Sequence, residues 1–352
     1  MPTTAERDPK SLPATWQTVA GTGRALAKTR HQSPFLSRLI VGAFGLVLSA
    51  APAHSQVCIF TIASLNFGTI NLAANTVFTS TSTFSASCTG LPNTTVRSCP
   101  NVGVGTGGST TGNPRFLLNG ANQLNFNLYQ DNAYASVWGS NLWGFAGSYP
   151  SPTVDVPLNG AGIGSATRTM YGQLWAGQPT QPAGLYLSAF LVSQSSVSYA
   201  YSTVGSCTTI GGANATSAPF TVTATNTTTC SVSAANLNFG STGVLRAALD
   251  ASSSISVTCT NGAPYTIALN GGNAGATDPT QRKMSQSSEK ITYGLYQNSA
   301  RTQPWGDSID VNTESATGSG LLQNFTVYGR VPAQNTPSPG TYTDTIVVTV
   351  SY

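Results

Sequence analysis

The 352-residue sequence carries six cysteines, and their spacing is the first chemistry it offers. Cys58 and Cys88 lie 30 residues apart, Cys230 and Cys259 lie 29 apart, and Cys99 and Cys207 remain. No pair has the CxxC spacing of a zinc or redox site, so the expected chemistry is disulfide formation in an oxidising compartment. Other reactive sets are missing. His31 and His54 are the only histidines, in or beside an N-terminal leader, which removes Ser/His triads, Cys/His dyads and His-ligated metals from the body of the protein. Gly103-Val-Gly-Thr-Gly-Gly108 satisfies GxGxxG, but Ser109-Thr-Thr-Gly-Asn-Pro114 breaks the helix that a dinucleotide site requires. Asp131 stands in a repeated motif whose other copy has Asn298, so it is no obligatory acid or base. The chain is read as non-enzymatic, with no cofactor.

The elements that position the cysteines follow from the rest of the text. Arg24, Lys28, Arg30 and Arg38 precede an apolar run over residues 39–50 and then Ala51-Pro-Ala53. That is the layout of a secretory signal peptide, here residues 1–53, cleaved near Ala53 or Ser55. The apolar run, about twelve residues, is too short to span a bilayer. Six of the 15 Lys/Arg and two of the 11 Asp/Glu fall in residues 1–53, leaving nine of each sign. A neutral mature chain without a basic cluster gives a nucleic acid or an anionic membrane nothing to hold.

The mature text recurs once. Cys58 leads to Leu65-Asn-Phe-Gly68 and Cys88, as Cys230 leads to Leu237-Asn-Phe-Gly240 and Cys259. Leu128-Tyr-Gln-Asp131 precedes Trp138-Gly139, and Leu295-Tyr-Gln-Asn298 precedes Trp305-Gly306, with ten residues from Leu to Trp in both copies. Tyr171-Gly172 leads to Pro182-Ala-Gly-Leu-Tyr186, and Tyr328-Gly329 to Pro339-Gly-Thr-Tyr342. Three matched blocks in one order mean two copies of one domain. Six cysteines allow 15 pairings in principle. The repeat selects Cys58 with Cys88 and Cys230 with Cys259, and Cys99 and Cys207 are expected to pair within the first copy. Short alternating segments between Gly, Pro and Asn turns predict six or seven strands per copy. The fold class is all-β, two tandem immunoglobulin-like β-sandwiches, residues 54–226 and 227–352.

At these blocks the chain resembles the spore coat protein U domain, the secreted pilin-like domain of archaic chaperone/usher pili. The second copy matches throughout, while the first departs after Tyr186. There it continues through Cys207 to Pro219-Phe-Thr-Val-Thr-Ala-Thr225, whose Phe220, Val222 and Ala224 alternate with threonines. This is a strand available to close the first sandwich. The second copy has no equivalent and ends with residues 342–352, in which Ile346, Val348, Val350 and Tyr352 share one face. The C-terminal domain is therefore expected to be incomplete, with those four residues walling a groove that accepts a donor strand. The resemblance implies the partners: a periplasmic pilus chaperone fills the groove first, an outer-membrane usher assembles the fibre, and the N-terminal donor strand of the next subunit replaces the chaperone. Cleavage near Ala53 leaves only His54-Ser-Gln-Val before Cys58, too short to donate a strand, which places the subunit at the pilus tip.

The first domain has few charges, so contact with an abiotic or host surface must use apolar groups. Three turn-rich segments absent from the second copy supply them: Val102 and Val104; Leu142, Trp143, Phe145 and Tyr149; and Leu174 with Trp175. Trp138, matched by Trp305, is read as scaffold. The resemblance implies a tip adhesin that binds hydrophobic surfaces and starts biofilm. A sugar-binding tip lectin, and a structural coat or pilus shaft subunit, are the competing readings.

Overall fold

The computed structural model describes residues 55–110, 114–143, 149–201 and 205–352. The leader expected over residues 1–53, His54 and Phe145 lie outside them. Twelve strands build the first sandwich: β1 (Val57–Ile62), β2 (Leu65–Ile70), β3 (Phe78–Thr89), β4 (Thr95–Val102), β5 (Arg115–Asn119), β6 (Asn122–Tyr129), β7 (Val154–Pro157), β8 (Ile163–Leu174), β9 (Gly184–Phe190), β10 (Ser195–Ala200), β11 (Thr216–Ser217) and β12 (Phe220–Asn226). One sheet has the order β1-β3-β8-β6-β5-β9-β12-β2, the other β11-β10-β4-β7.

The alternation read from sequence decides which faces meet. In β3, Phe84, Ala86 and Cys88 are buried while Thr83, Ser87 and Thr89 face out, the period of a half-buried strand. Phe60, Leu65, Phe84, Phe126, Met170 and Tyr186 are among the side chains of one core. Strand β12 lies inside this sandwich, as its alternation predicts. It runs antiparallel to β9 and parallel to β2, with Phe220, Val222 and Ala224 buried.

The second sandwich repeats the plan with fewer strands: β13 (Cys230–Ala234), β14 (Leu249–Cys259), β15 (Pro264–Leu269), β16 (Arg282–Gln286), β17 (Glu289–Tyr296), β18 (Glu314–Thr317), β19 (Gln323–Val331) and β20 (Val348–Ser351). Its sheets have the orders β13-β14-β19-β17-β16 and β18-β15-β20. A separate core holds Ile255, Ile267, Leu269, Leu295 and Trp305 among others.

The structure holds three disulfides, the two that the repeat selects and one between the remaining Cys99 and Cys207. Cys58–Cys88 and Cys230–Cys259 join directly opposed residues of β1 with β3 and of β13 with β14, each at a Cα separation of 4.1 Å. Cys99–Cys207, at 5.6 Å, ties β4 to the short helix Cys207–Ile210.

Candidate functional site

One difference between the two sandwiches opens a groove. In the first, β12 fills the space between β9 and β2 and seals Leu65, Ile70 and Tyr186, all at most 2% exposed. In the second, Leu237-Asn-Phe-Gly240 has no ladder, and residues 341–347 have none except the isolated bridge of Thr343 to Ser285. Between these segments two cavities of about 520 and 600 Å³ open over the core. Leu237, Phe239 and Met284 line both, and Ile255, Leu295 and Val327 floor the larger. Residues with this spacing form a strand only where a partner accepts their main-chain bonds. The same LNFG sequence is strand β2 where β12 is present and is not a strand where no such partner stands beside it.

The terminal stretch is divided, which corrects the reading of residues 342–352 as a single groove wall. Ile346 and Val348 line the larger cavity. Val348 and Val350 belong to β20, paired with Leu269 and Ile267 of β15, and Val350 packs half-buried on the second core. Tyr352 lies past the last ladder pair and is 61% exposed, so it does not line the groove. Half-buried Tyr342 and Asp344 join Ile346 and Val348 in the wall, while Thr343 and Thr345 between them are exposed.

Side-chain bonds add to the one bridge, Thr343 with Ser285 of β16, in holding that wall. The Tyr342 hydroxyl donates to Ser338 O at 2.8 Å and to Glu289 Oε2 at 2.9 Å. The Tyr342 hydroxyl and the Ser338 amide and hydroxyl hold the Glu289 carboxyl below its ordinary pKa. One residue pair further, the Tyr293 hydroxyl donates to Asp344 Oδ2 at 2.7 Å, and the Asn273 amide donates to Oδ1 at 2.8 Å. Burial, reinforced by the bond to Asp344, pushes the Tyr293 phenol far above its usual range, so it remains a donor.

The loops expected to make surface contacts lie on the first domain. Val102 and Leu174 are buried and are not available at the surface. Strands β4 and β8 run farther than the glycines around these residues suggest, and both side chains point inward. Val104 packs half-buried against the buried pair Tyr129 and Val137, as Tyr134, Tyr149 and Tyr171 do. Leu142, Trp143 and Trp175 are half-buried. The Trp143 ring lies beside Gly103, where a Cβ would stand 3.4 Å from the ring and 2.1 Å from Gln194 Oε1, so a larger residue there would displace the Gln194 side chain. Gln194 also accepts the Gly103 amide at 2.8 Å on its main-chain oxygen and the Val104 amide at 2.9 Å on its side chain. The Gln194 amide donates to Leu191 O at 2.7 Å, and the same turn carries Leu191 and Val192, 54% and 65% exposed. Sequence reading passed over that pair, although two adjacent apolar residues in a turn were a usable signal.

A second feature was passed over. Arg115 is fully buried and donates to Gly103 O, Val102 O, Asn127 Oδ1 and Trp138 O at 2.5 to 3.0 Å, with its guanidinium 5.9 Å over the Phe190 ring. Burial lowers its pKa to about 9, which still leaves it charged at neutral pH. Arg282 does the same in the second domain, donating to Leu269 O, Asn270 O, Pro279 O and Trp305 O. Trp138 and Trp305 are scaffold as expected, their ring nitrogens bound to Pro100 O and Ile267 O at 2.9 Å. The Arg115 clamp thus fixes the root of the Val104 loop and of the segment leading to Trp143.

Among known families, the profile of the Spore Coat Protein U domain matches residues 45–193 and 216–349. No curated protein matches the sequence. Among solved structures, a chain of the CsuC-CsuE chaperone-tip adhesion subunit pre-assembly complex from the archaic chaperone-usher Csu pili of Acinetobacter baumannii is 16% identical with a TM-score of 0.50, covering 84% of this chain and 100% of that one. The CupB6 tip adhesin from Pseudomonas aeruginosa is 13% identical with a TM-score of 0.34, covering 85% of this chain and 94% of that one. The first likeness bears on the fold alone.

Proposed function

Because the chain belongs to the Spore Coat Protein U domain family, we propose that it is the tip adhesin subunit of a chaperone/usher pilus, exported through the periplasm and displayed at the cell surface. One observation carries this reading: β12 closes the first sandwich, while a groove floored by apolar core side chains stands open at the same place in the second. An open groove floored by core side chains is unfavourable in water, and an extended segment from another chain closes it by β-augmentation. In this reading a periplasmic chaperone occupies the groove first, the outer-membrane usher receives the subunit, and the N-terminal strand of the next subunit takes the chaperone's place. The first domain, already closed, accepts no strand. It lies beyond the last junction and is free to touch an abiotic or host surface.

Half-buried Trp143 and Val104 with exposed Leu191 and Val192 supply an uncharged apolar contact. Trp143→Ser combined with Phe145→Ser is expected to leave pili assembled and to lower attachment of cells to hydrophobic plastic and the biofilm that follows. Unchanged attachment by normally piliated cells rejects this contact surface.

A further inference from the structure

The first domain contains, in strand β12, a filled version of the groove that the second leaves open. The walls correspond contact by contact. Tyr186 donates to Pro182 O and Tyr342 to Ser338 O, both four residues upstream and both at 2.8 Å. Leu187 is bridged to Leu118 of β5 as Thr343 is bridged to Ser285 of β16. Phe67 meets Phe126 edge-on at 6.4 Å, and Phe239 meets Tyr293 at 6.1 Å. Gly172 lies under Leu65 and Phe67, and Gly329 under Leu237 and Phe239. By these matches Tyr186, Ser188 and Phe190 of β9 correspond to Tyr342, Asp344 and Ile346.

Strand β12 sets Ala224 opposite Tyr186, Val222 opposite Ser188 and Phe220 opposite Phe190, where the two Phe rings stack at 4.5 Å. On its other side Val222 pairs with Leu65. Resting on the acceptor reading above, we infer that the strand completing the second domain enters in the direction and register of β12. It runs antiparallel to residues 342–346, with a small side chain opposite Tyr342, an aliphatic one between Asp344 and Leu237, and a large apolar one opposite Ile346. The sizes follow from the walls. A tyrosine ring already fills the first position, as Tyr186 does over Ala224. Ile346 is smaller than Phe190 and leaves more room at the last. Asp344 does not call for a cation on the partner, because its oxygens already accept the Tyr293 hydroxyl and the Asn273 amide. A one-residue slip would turn the apolar side chains outward. The three inward positions of the partner strand are therefore uncharged, and its outward ones polar.

Disulfide capture reads the register directly. Thr343 and Thr345 face out, as Thr221 and Thr223 of β12 do with respect to their own core. Directly opposed outward positions bring Cβ atoms close enough to bridge, and the native chain has no free cysteine. The full chain carrying Thr343→Cys is mixed, in a glutathione redox buffer, with peptides of the sequence of residues 219–226 carrying either Thr223→Cys or Thr221→Cys. The expected result is capture of the Thr223→Cys peptide and loss of capture with Thr221→Cys. A chain carrying Thr345→Cys is expected to reverse this choice. Equal capture of both peptides, or the opposite choice, overturns the register while leaving the groove an acceptor. A peptide that is neither captured nor raises the melting temperature overturns the acceptor reading itself.

Discussion

Tyr186 and Tyr342 make the same hydroxyl bond to a carbonyl oxygen four residues upstream, yet the first ring is sealed under β12 and the second lines an open groove. The open copy has an added tie, Glu289, which accepts from the Tyr342 hydroxyl and from the amide and hydroxyl of Ser338. These bonds depress the folded pKa of Glu289, so the tie is fully present above the unfolded value of about 4.3 and is lost as pH falls through the lower folded value. Acidification through that range should release residues 338–342, seen as lower amide protection factors there than at pH 7, each rate being divided into the intrinsic exchange rate at its own pH. Glu289→Gln should flatten this pH dependence, since its amide does not titrate. Equal protection factors at both pH values in the native chain would show that the carboxylate does not hold the wall.

The Arg115 clamp predicts a large loss on truncation. Arg115→Met leaves Gly103 O, Val102 O, Trp138 O and Asn127 Oδ1 without the charged donor that now satisfies them. Since such bonds are worth about 1.5–3 kcal/mol each and unsatisfied buried groups cost about 1–3, the first domain's denaturant transition should fall by about 3 kcal/mol or more. Arg115→Lys should recover little, because an ammonium does not span diverging acceptors as a guanidinium fork does. Arg282→Met should act on the second domain's transition instead.

These arginines also mark where sequence reading stopped short. The repeat, the three disulfides and the closing role of β12 were legible because cysteine spacing and period-two alternation express main-chain geometry directly. A buried arginine violates the usual coupling of charge with surface. Its only trace was a 23-residue spacing from Arg to Trp shared by Arg115 with Trp138 and Arg282 with Trp305. Val102 and Leu174 are the last residues of β4 and β8, so they border turn-rich text yet still point into the core. Residues 342–352 alternate like one strand, but their ladder divides, since only Val348–Ser351 pairs with β15. Alternation fixes which side chains turn inward; a neighbouring strand is needed to make the ladder.

The Cys99–Cys207 bond encloses 108 residues of the first domain. In the chain-entropy account a loop of that length contributes about 4.7 kcal/mol, against about 3–4 for the Cys58–Cys88 loop. Replacing Cys99 and Cys207 together by Ala should therefore lower the first domain's stability by roughly 4 kcal/mol. The second domain's transition, which depends on Cys230–Cys259, should stay where it is. Unfolding followed by intrinsic fluorescence separates the outcomes, and coincident loss of both transitions would contradict independent cores.

The exposed turn of Leu191 and Val192 offers a test of surface contact that leaves the core alone. The two side chains are 54% and 65% exposed, so Leu191→Ser with Val192→Ser removes apolar surface without opening a cavity. Surface changes of this kind shift stability by about 0.5 kcal/mol or less, and the bonds from Gln194 to Gly103 and Val104 remain. If the turn and Trp143 form one contact, the double variant should melt as the native chain does and lose attachment to hydrophobic plastic. Combining it with Trp143→Ser should add less than the two losses taken separately, because residues sharing one contact are not additive. Full additivity in the attachment assay would mean two separate contacts.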